Sequence, residues 1–434
     1  MVRRKSGGSA RKPNPYLHRL GPGIVTGAAD DDPSGIGTYS QAGASVGYSM
    51  LWSAPWLLPL AYATQEACAR LALVTGKGLA AIIKARMPRP VLLLAVLLVA
   101  IANTVNIAAD LASMAAALRL IVPVDQVVGV VGFAALLGIT EVMIPYHRYA
   151  KVLRWLCLSL LAYVLVLFVA KVDWQQVAVS TFLPKIDFNK GTFELLIALA
   201  GTTISPYLFF WQAAEEVEEL GQRGRATATF RLRHPSRRGE AIEREHIAAM
   251  RGDVFSGMLT GVFIMFAIMA TTAATLHASG ITNIASAEDA ASALRPIAGD
   301  FAGLLFLVGI LGVGLLSIPV LTGSTAYAVA ETFGWRESLE LKPRQARAFY
   351  LVITASMLVA LALNLLQIPP MTFLFLAAVL NGLTAPALMV IVWFLARDAR
   401  ILGAHKSPRW SQILLGCATV AMAALPVAWA VAPN

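Results

Sequence analysis

The sequence has 434 residues, of which 57% are hydrophobic and 14% are charged, and its formal net charge is +10. This balance is far from that of a water-soluble domain and is typical of a protein with many membrane spans. Nucleic-acid binding would require the basic residues to gather on one folded surface, but they fall in alternate loops between apolar segments. We therefore expect the chain to lie in a lipid bilayer and to bind no nucleic acid.

The first segment, 1–19, is basic but lacks the apolar stretch and cleavage site of a secretory signal, so we interpret it as a cytoplasmic tail. A membrane-crossing helix needs about 20 mostly apolar residues, and by this criterion the rest of the chain contains about eleven spans. In chain order these predicted spans are 20–46, 50–74, 90–119, 124–144, 150–171, 191–219, 252–277, 299–331, 346–366, 370–397 and 409–431.

The loops between these spans alternate in charge. Lys and Arg gather in the tail and in the even-numbered loops, whereas the odd-numbered loops carry acidic residues and few basic ones. Because cytoplasmic loops retain Lys and Arg, this pattern predicts a cytoplasmic N-terminus and, with an odd number of spans, an external C-terminus. The sixth loop, 221–251, is the longest polar stretch, and we interpret it as a basic cytoplasmic connector rather than a lipid or nucleic-acid patch.

The position of this loop divides the first ten spans into two units of five, 20–175 and 190–398, followed by an eleventh span at 409–431. An odd number of helices per unit inverts the second unit relative to the first, as in many secondary transporters. Span 1 then corresponds to span 6, and both spans contain unusual polar interruptions.

Span 1 carries three consecutive carboxylates, Asp30, Asp31 and Asp32, about halfway along its apolar run. Each would cost several kcal/mol if it faced lipid, so they must face water, a cation or each other. Pro33 removes a backbone donor, and we expect Gly35 and Gly37 to loosen the helix there. A carboxylate beside free carbonyl oxygens suits a hard divalent cation. The alternative is a proline kink with buried, protonated aspartates.

Span 6 is interrupted at the matching depth by Gly201, Thr202, Thr203, Ser205 and Pro206. Alone, this stretch would be weak evidence, because Ser, Thr and Pro are tolerated as ordinary kinks in membrane helices. Two facing breaks together predict a binding site of the kind found in secondary transporters.

The sequence also resembles the Nramp family of divalent-metal transporters over nearly its whole length. Motifs that carry the resemblance are Gly21-Pro22-Gly23, Asp32-Pro33, Gln41-Ala42-Gly43-Ala44, Gly47-Tyr48, Thr64-Gln65-Glu66, Ala69-Arg70-Leu71, Thr75-Gly76-Lys77-Gly78-Leu79, Ala109-Asp110-Leu111-Ala112 and Leu321-Thr322-Gly323-Ser324. Each motif is weak alone, but together and in order they are strong. The resemblance implies an all-α, LeuT-type fold of two inverted five-helix repeats, with helices 1 and 6 broken at mid-membrane.

The resemblance also implies a set of metal-binding positions. In the family, the metal is bound by Asp and Asn of helix 1, by Met of helix 6 and by two carbonyls at the breaks, beside a helix 6 His. Matched residue by residue, these positions fall on Asp32, Gly35, Ser205, the carbonyls of Ala29 and Thr202, and Tyr207. Asp32 alone keeps the family side chain. Asp31 is a further candidate, although the sequence leaves open whether Asp30 or Asp31 faces the ion.

These departures favour a hard ion. A thioether selects softer metals such as Mn²⁺, so Ser205 removes the group that discriminates against Mg²⁺. Gly35 removes a second direct ligand and leaves room for an ion that retains its waters, as Mg²⁺ does. Asn381 in span 10 is positioned to contact those waters, although a hydrogen bond between helices is an equal alternative.

The proton-carrying groups change as well. His is the natural proton carrier near neutral pH, but the helix 6 His position is Tyr207, and span 3 has Asn103 and Ser113 where the family usually has acids. Asp110 remains. The pattern resembles the Nramp-related magnesium transporter branch, for which uncoupled Mg²⁺ uptake, with passage of Mn²⁺ as well, is the expectation.

Three other functions remain open. A proton-coupled Mn²⁺ or Fe²⁺ importer is the main alternative, because Asp32 and Asp110 are able to carry protons. A sodium-coupled solute symporter of the same fold would need a cavity for an organic molecule. An intramembrane aspartyl hydrolase would need two facing aspartates, which span 6 does not provide, so we expect no enzyme activity. We expect no cofactor beyond the transported cation, a monomer adequate for transport, and the plasma (inner) membrane of a prokaryote.

Overall fold

A computed structural model describes residues 22–144, 158–222, 237–339 and 341–433, which are helical with no β-strand among them. The first helices are α1 (Pro22–Asp30), α2 (Pro33–Val46), α3 (Ser53–Thr75), α4 (Leu79–Arg86), α5 (Arg89–Arg119), α6 (Gln126–Met143), α7 (Leu161–Val169), α8 (Trp174–Phe182), α9 (Lys190–Thr203) and α10 (Pro206–Gln222). They are followed by α11 (Arg237–Thr275), α12 (Ala287–Ser292), α13 (Arg295–Ala298), α14 (Ala302–Phe333), α15 (Arg347–Leu363), α16 (Pro370–Arg397), α17 (Ala399–Leu402) and α18 (Arg409–Val431).

Several of these helices have the length and the apolar composition of membrane spans. Within the described residues eight segments qualify, and nine if the pair Leu158–Val169 and Trp174–Phe182, bent by 119°, counts as one span. Predicted spans 20–46 and 50–74 are not among them. Both bury polar side chains inside the bundle, including Asp31 and Glu66, so they face neighbouring helices more than lipid.

The outer surface of the bundle is apolar. Leu97 on α5 is 55% exposed, Phe168 on α7 is 78% exposed and Val420 on α18 is 69% exposed. Large apolar side chains exposed around a helical bundle whose own polar groups point inward are the pattern expected at a lipid boundary. The fold is therefore that of a multi-pass membrane protein.

Helix 1 is broken where the sequence predicts. Helix α1 ends at Asp30 and α2 begins at Pro33, and Asp32 between them has extended backbone (φ −69°, ψ 171°). Asp32 serves as the N-cap of α2, and Pro33 occupies the first helical turn. Proline is tolerated there because a backbone N–H at this position has no partner within the helix. The expectation that Gly35 and Gly37 loosen the helix is wrong, because both lie inside regular helix α2.

Helix 6 is broken in the same way. Helix α9 ends at Thr203 and α10 begins at Pro206, with Ile204 and Ser205 between them. Proline again starts the second half of the span, because it cannot donate a hydrogen bond to the preceding turn. Both breaks therefore separate two helical halves, as predicted.

Glycines hold each broken span against an unbroken helix. A methyl group on Gly27 of α1 would lie 2.3 Å from the Gly257 carbonyl oxygen on α11. One on Gly201 of α9 would lie 2.3 Å from the Ala378 carbonyl oxygen on α16, and one on Gly382 of α16 would lie 2.3 Å from the Ile197 carbonyl oxygen on α9. Such approaches are possible because these residues have no side chain.

The boundaries of other predicted segments differ in part. Helix α11 begins at Arg237, so the second half of the predicted connector 221–251 is helical rather than a loop. The predicted span 150–171 ends in α7, but its first part lies outside the described residues, as does the tail 1–19. Short helices α4, α8 and α12 were not predicted, because none is long enough to cross a membrane.

Candidate metal site at the two helix breaks

Asp32 lies at the centre of the first break and is 2% exposed. Its Oδ1 atom accepts hydrogen bonds from the Ser34 hydroxyl at 2.6 Å and from the Gly35 backbone N–H at 2.8 Å. Its Oδ2 atom accepts a longer bond, 3.3 Å, from Asn106 Nδ2 on α5. One carboxylate oxygen therefore caps α2, while the other accepts the longer bond from Asn106.

The face of α5 that meets this carboxylate is polar. Asn103, Asn106 and Asp110 share one side of the helix and are each 0% exposed. Asn103 Nδ2 donates to the Ser324 and Thr325 hydroxyls on α14, both at 2.8 Å, while the Ser317 hydroxyl donates to Asp110 Oδ2 at 3.1 Å. Asn106 Oδ1 and Asp110 Oδ1 have no protein partner. Our sequence reasoning missed Asn106, although its position between Asn103 and Asp110 on one helical face was a usable signal.

Ser205 covers the carbonyl groups at the end of α9. Its hydroxyl oxygen lies 2.9 Å from the Gly201 carbonyl oxygen and 2.8 Å from that of Thr202. A carbonyl oxygen has two lone pairs, so the Thr202 carbonyl can accept this hydroxyl and still contact an ion. The Thr202 side chain points back along its own helix and donates to the Leu199 carbonyl at 3.0 Å.

Tyr207 joins the two breaks directly. Its hydroxyl donates to the Ala29 carbonyl, 178 residues earlier in the chain, at 2.8 Å, and its side chain is fully buried. The structure therefore brings the break that contains Ala29 and Asp32 into contact with the break that Thr202, Ser205 and Tyr207 flank.

Tyr39, which the sequence analysis did not single out, occupies the space beside Gly35. A methyl group on Gly35 would lie 3.2 Å from the edge of the Tyr39 ring and 3.4 Å from its hydroxyl oxygen. The Tyr39 hydroxyl in turn lies near the Thr202 and Thr203 side chains. A phenol from the next helical turn thus takes the volume that a larger side chain at position 35 would need.

Asn381 lies on α16, next to the glycine that packs against α9. Its side chain is 0% exposed, and neither its Oδ1 nor its Nδ2 atom has a protein hydrogen-bond partner. The alternative interpretation, a hydrogen bond between helices, is therefore not what the structure shows. A buried amide without a protein partner is normally satisfied by water or a ligand.

Asp31 points in a different direction from Asp32. Asp32 turns toward α5, whereas Asp31 and Asp30 turn toward Gly261 on α11. In the described part of the chain, no three acidic, His or Cys side chains form a ready-made metal cluster. A cation at the breaks would thus be bound by one carboxylate with neutral oxygen atoms around it.

A cavity of about 490 Å³ lies on one side of the breaks, between the half-helices α2 and α9 and the unbroken helix α16. Gly37, Gln41, Leu195, Met371 and Phe375 are among its lining residues. Leu374 packs against Gly37, one of the lining residues, since a methyl group on Gly37 would lie 3.0 Å from Leu374 Cδ1. The cavity therefore lies next to α2 and α9, the half-helices on one side of the two breaks.

Two broken helices whose halves meet beside a buried carboxylate and free carbonyls are typical of secondary transporters. The family model described as natural resistance-associated macrophage protein-like, Nramp, matches residues 23–432. The chain therefore belongs to the Nramp family, as the sequence predicted, and is a divalent metal cation transporter of that type.

Relatives of known name agree with this assignment. The chain is 29% identical over 311 residues to a divalent metal cation transporter MntH of Yersinia pestis, covering 70% of each protein. It is 26% identical over 419 residues to a MntH of Klebsiella pneumoniae, covering 95% of this chain and 93% of the relative.

Solved structures show the same fold at low sequence identity. A manganese transporter of Eremococcus coleocola, in complex with an aromatic bis-isothiourea substituted compound, superposes with a TM-score of 0.74 at 16% identity, covering 96% of this chain and 87% of that one. Mhp1, a nucleobase-cation-symport-1 family transporter, gives a TM-score of 0.56 at 15% identity, covering 94% and 91%. The predicted all-α, LeuT-type fold is confirmed.

Proposed function

We propose that this transporter takes up Mg²⁺, and also passes Mn²⁺, by alternating access without strong proton coupling. The observation that carries the proposal is the all-oxygen character of the groups around Asp32. These groups are the Asp32 carboxylate, the carbonyls of Ala29 and Thr202, and the hydroxyl of Ser205. Hard oxygen ligands suit Mg²⁺, whereas a thioether would favour a softer metal.

The site also suits an ion that retains part of its water shell. Asn106 Oδ1 and both polar atoms of Asn381 are buried without protein partners, although a buried polar group normally has one. Mg²⁺ dehydrates reluctantly and is usually bound through several of its own waters. In the proposed complex, Asp32 supplies the charge, while Asn106 and Asn381 hold the outer waters.

A thioether does lie near the second break, but it comes from a different helix. Met265 Sδ on α11 is 3.5 Å from the Thr203 hydroxyl, which also bonds to the Leu199 carbonyl. This sulfur belongs to α11 and contacts the side chain of the last residue of α9. It therefore does not replace the family methionine, whose position is occupied by Ser205.

The groups around the breaks also favour uncoupled transport. Tyr207 replaces a histidine, and a phenol with an ordinary pKa near 10 stays neutral at the pH where histidine exchanges protons. Asn103 and Ser113 have no proton to release at such a pH, and the Ser113 hydroxyl donates to the Asp110 carbonyl at 2.8 Å. A continuous chain of titratable groups leading away from Asp32 is therefore not expected.

Asp110 is the observation that favours a second candidate, a proton-coupled Mn²⁺ or Fe²⁺ importer. Its side chain is fully buried, its Oδ1 atom has no protein partner, and it lies within electrostatic range of Asp32. If Asp110 accepts a proton when the metal enters, then flux of each metal ion would acidify the receiving compartment.

The proposal includes the remaining expectations from the sequence. The basic loops support a cytoplasmic N-terminus and an external C-terminus in a prokaryotic inner membrane. In this orientation the cavity lined by α2, α9 and α16 would face outward. The units 20–175 and 190–398 would be the two inverted repeats, and one copy of the chain contains every residue that the mechanism uses. Membership of the Nramp-related magnesium transporter branch is part of the same proposal.

Selectivity is tested by flux into liposomes that contain the purified protein and a metal-sensitive dye. We expect Mg²⁺ influx, weaker or equal Mn²⁺ influx, and competition between the two ions. The matched control is Asp32→Asn, which keeps an oxygen to cap α2 but removes the charge. Strong Mn²⁺ influx without Mg²⁺ influx would contradict the proposal and favour the manganese importer.

A further inference from the structure

Two of the three consecutive carboxylates take no part in the site at Asp32. Asp30 is 2% exposed and Asp31 is 3% exposed, and the Oδ1 atom of each has no hydrogen-bond partner. Within the described residues, neither carboxylate pairs with a Lys or Arg side chain. A buried carboxylate without a counter-charge is strongly unfavourable.

The two carboxylates face a common point on α11. If a methyl group were placed on Gly261, its three nearest heavy atoms would all be oxygens. These atoms are the Gly27 carbonyl at 3.4 Å, Asp30 Oδ2 at 3.5 Å and Asp31 Oδ1 at 3.8 Å. Because Gly261 has no side chain, the space beside its Cα is lined by two carboxylates and a carbonyl, and one of these atoms, Asp31 Oδ1, is among those without a partner.

We propose that Asp30, Asp31 and the Gly27 carbonyl form a second cation site beside Gly261, separate from the site at Asp32. Two carboxylates carry the charge that a divalent cation neutralises, and carboxylate and carbonyl oxygens are the ligands of hard cations such as Mg²⁺ and Ca²⁺. This inference goes beyond the proposed function, because it does not depend on which metal the chain transports.

The two sites lie on opposite sides of the first break. Asp32 contacts Asn106 on α5, whereas Asp30 and Asp31 face α11. Helix α11 is also the helix against which α1 packs through Gly27 and Gly257. A cation beside Gly261 would therefore tie α1 to α11 and act as a resident ion, while the ion at Asp32 is the one that moves.

The test is the number of Mg²⁺ ions bound to the purified full-length chain, measured by equilibrium dialysis and atomic emission. We expect two ions in the wild type, one in Asp32→Ala, one in the double variant Asp30→Asn/Asp31→Asn, and none in the triple variant. Loss of all bound Mg²⁺ in Asp32→Ala would overturn the proposal, and so would binding that the double variant leaves unchanged. If Asp32→Ala and the wild type both held one ion that the double variant lost, then the proposed function alone would fail.

A second variant leaves the charges in place. Gly261→Ala puts a methyl group at ordinary contact distance from the three oxygens, so we expect a folded protein that binds one Mg²⁺ fewer. Gly252→Ala is the matched control on the same helix, because its methyl group would meet nothing within 4 Å. Equal Mg²⁺ binding in these two variants would contradict a site beside Gly261. Repeating the dialysis with Ca²⁺ and Na⁺ shows whether the site requires a divalent ion.

Discussion

Asp32 combines two roles in one side chain. Its Oδ1 atom caps α2 through the Ser34 hydroxyl and the Gly35 N–H, while its Oδ2 atom accepts a longer bond from Asn106 and would contact the cation in the proposed complex. The same residue therefore caps the second half of the broken helix and, in the proposed complex, supplies the negative charge that binds the cation. This arrangement explains why a charge-neutral replacement is a more informative variant than alanine.

For Asp32→Asn we expect a folded protein with little transport. The amide oxygen can still cap α2, but the negative charge is lost, and a neutral amide does not replace a carboxylate as the charged ligand of a divalent cation. The measurement is Mg²⁺ flux into liposomes, with Asp300→Asn, which removes an exposed carboxylate, as the control. Unchanged flux in Asp32→Asn would place the transport site elsewhere.

Selectivity should change when the family ligands are restored. Ser205→Met introduces a thioether, so we expect the flux ratio of Mn²⁺ to Mg²⁺ to rise several-fold. Gly35→Asn needs Tyr39 to move, because the new side chain would begin 3.2 Å from the Tyr39 ring, and we therefore pair it with Tyr39→Ser. The comparison is Tyr39→Ser alone. A triple variant, Gly35→Asn/Tyr39→Ser/Ser205→Met, that kept the wild-type ion preference would show that these positions do not set selectivity.

At the scale of helices, packing against unbroken neighbours keeps the two breaks at one level. Gly201 and Gly382 allow α9 and α16 to touch at backbone distance, and Gly27 does the same for α1 and α11. Thr202 is the residue after Gly201, and Ser205 lies three residues further on. Any displacement of α9 would therefore also move the carbonyls of the proposed site.

Gly201→Ala tests this dependence. Its methyl group would lie 2.3 Å from the Ala378 carbonyl oxygen, and overpacking of this kind typically destabilises by about 1–3 kcal/mol. We expect a lower melting temperature and reduced Mg²⁺ flux, whereas Gly132→Ala on α6, whose methyl group meets no atom within 4 Å, should change neither. Wild-type flux in Gly201→Ala would mean that the α9–α16 contact does not position the site.

A cluster of charged and polar side chains joins helices α3, α11 and α18 away from the breaks. Glu66 on α3 pairs with Arg70 one turn later, accepts a 3.0 Å bond from Arg251 Nε on α11 and a 3.1 Å bond from the Ser411 hydroxyl on α18. The side chains of Glu66 and Arg70 are 0% and 4% exposed, whereas that of Arg251 is 32% exposed. The members of this cluster should therefore contribute unequally to stability.

We expect Glu66→Ala to lower the melting temperature in detergent far more than Arg251→Ala. Removing Glu66 leaves the buried Arg70 charge unpaired, a loss of about 3–5 kcal/mol, whereas a partly exposed pair contributes about 0–1 kcal/mol. Glu288→Ala removes an exposed acid from the first turn of α12 and serves as the control. Equal shifts in Glu66→Ala and Arg251→Ala would contradict this ranking.

The sequence predicted those parts of the fold that local chemistry determines. The positions of both breaks were predicted from Pro33 and Pro206, because proline lacks a backbone N–H and interrupts a helix whatever its tertiary surroundings are. Apolar length likewise placed most spans to within a few residues. Local pattern does not reveal which helix lies opposite, so Tyr39 and Met265 were missed, whereas the shared helical face of Asn103, Asn106 and Asp110 was a usable signal for Asn106. Gly35 and Gly37 were expected to loosen the helix, but they are helical and close-packed.

For the whole molecule, the proposed function requires a cation to reach Asp32 from one side of the bundle and to leave from the other. A cavity of about 490 Å³ is lined by residues of α2, α9 and α16, and Leu374 packs against its lining residue Gly37. Alternating access then requires α2 and α9 to close on one side while α1 and α10 open on the other. Coupling to protons depends on whether any group near Asp32 releases a proton during this cycle.

The most direct measurement of the central claim records Mg²⁺ influx and internal pH together in liposomes that contain the wild-type protein. An imposed membrane potential, negative inside, drives uptake without a pH gradient. We expect Mg²⁺ to enter with no acidification beyond that of protein-free liposomes, and Asp32→Asn to abolish the Mg²⁺ signal. Acidification that rises in proportion to the metal influx, or influx of Mn²⁺ with none of Mg²⁺, would contradict uncoupled magnesium transport.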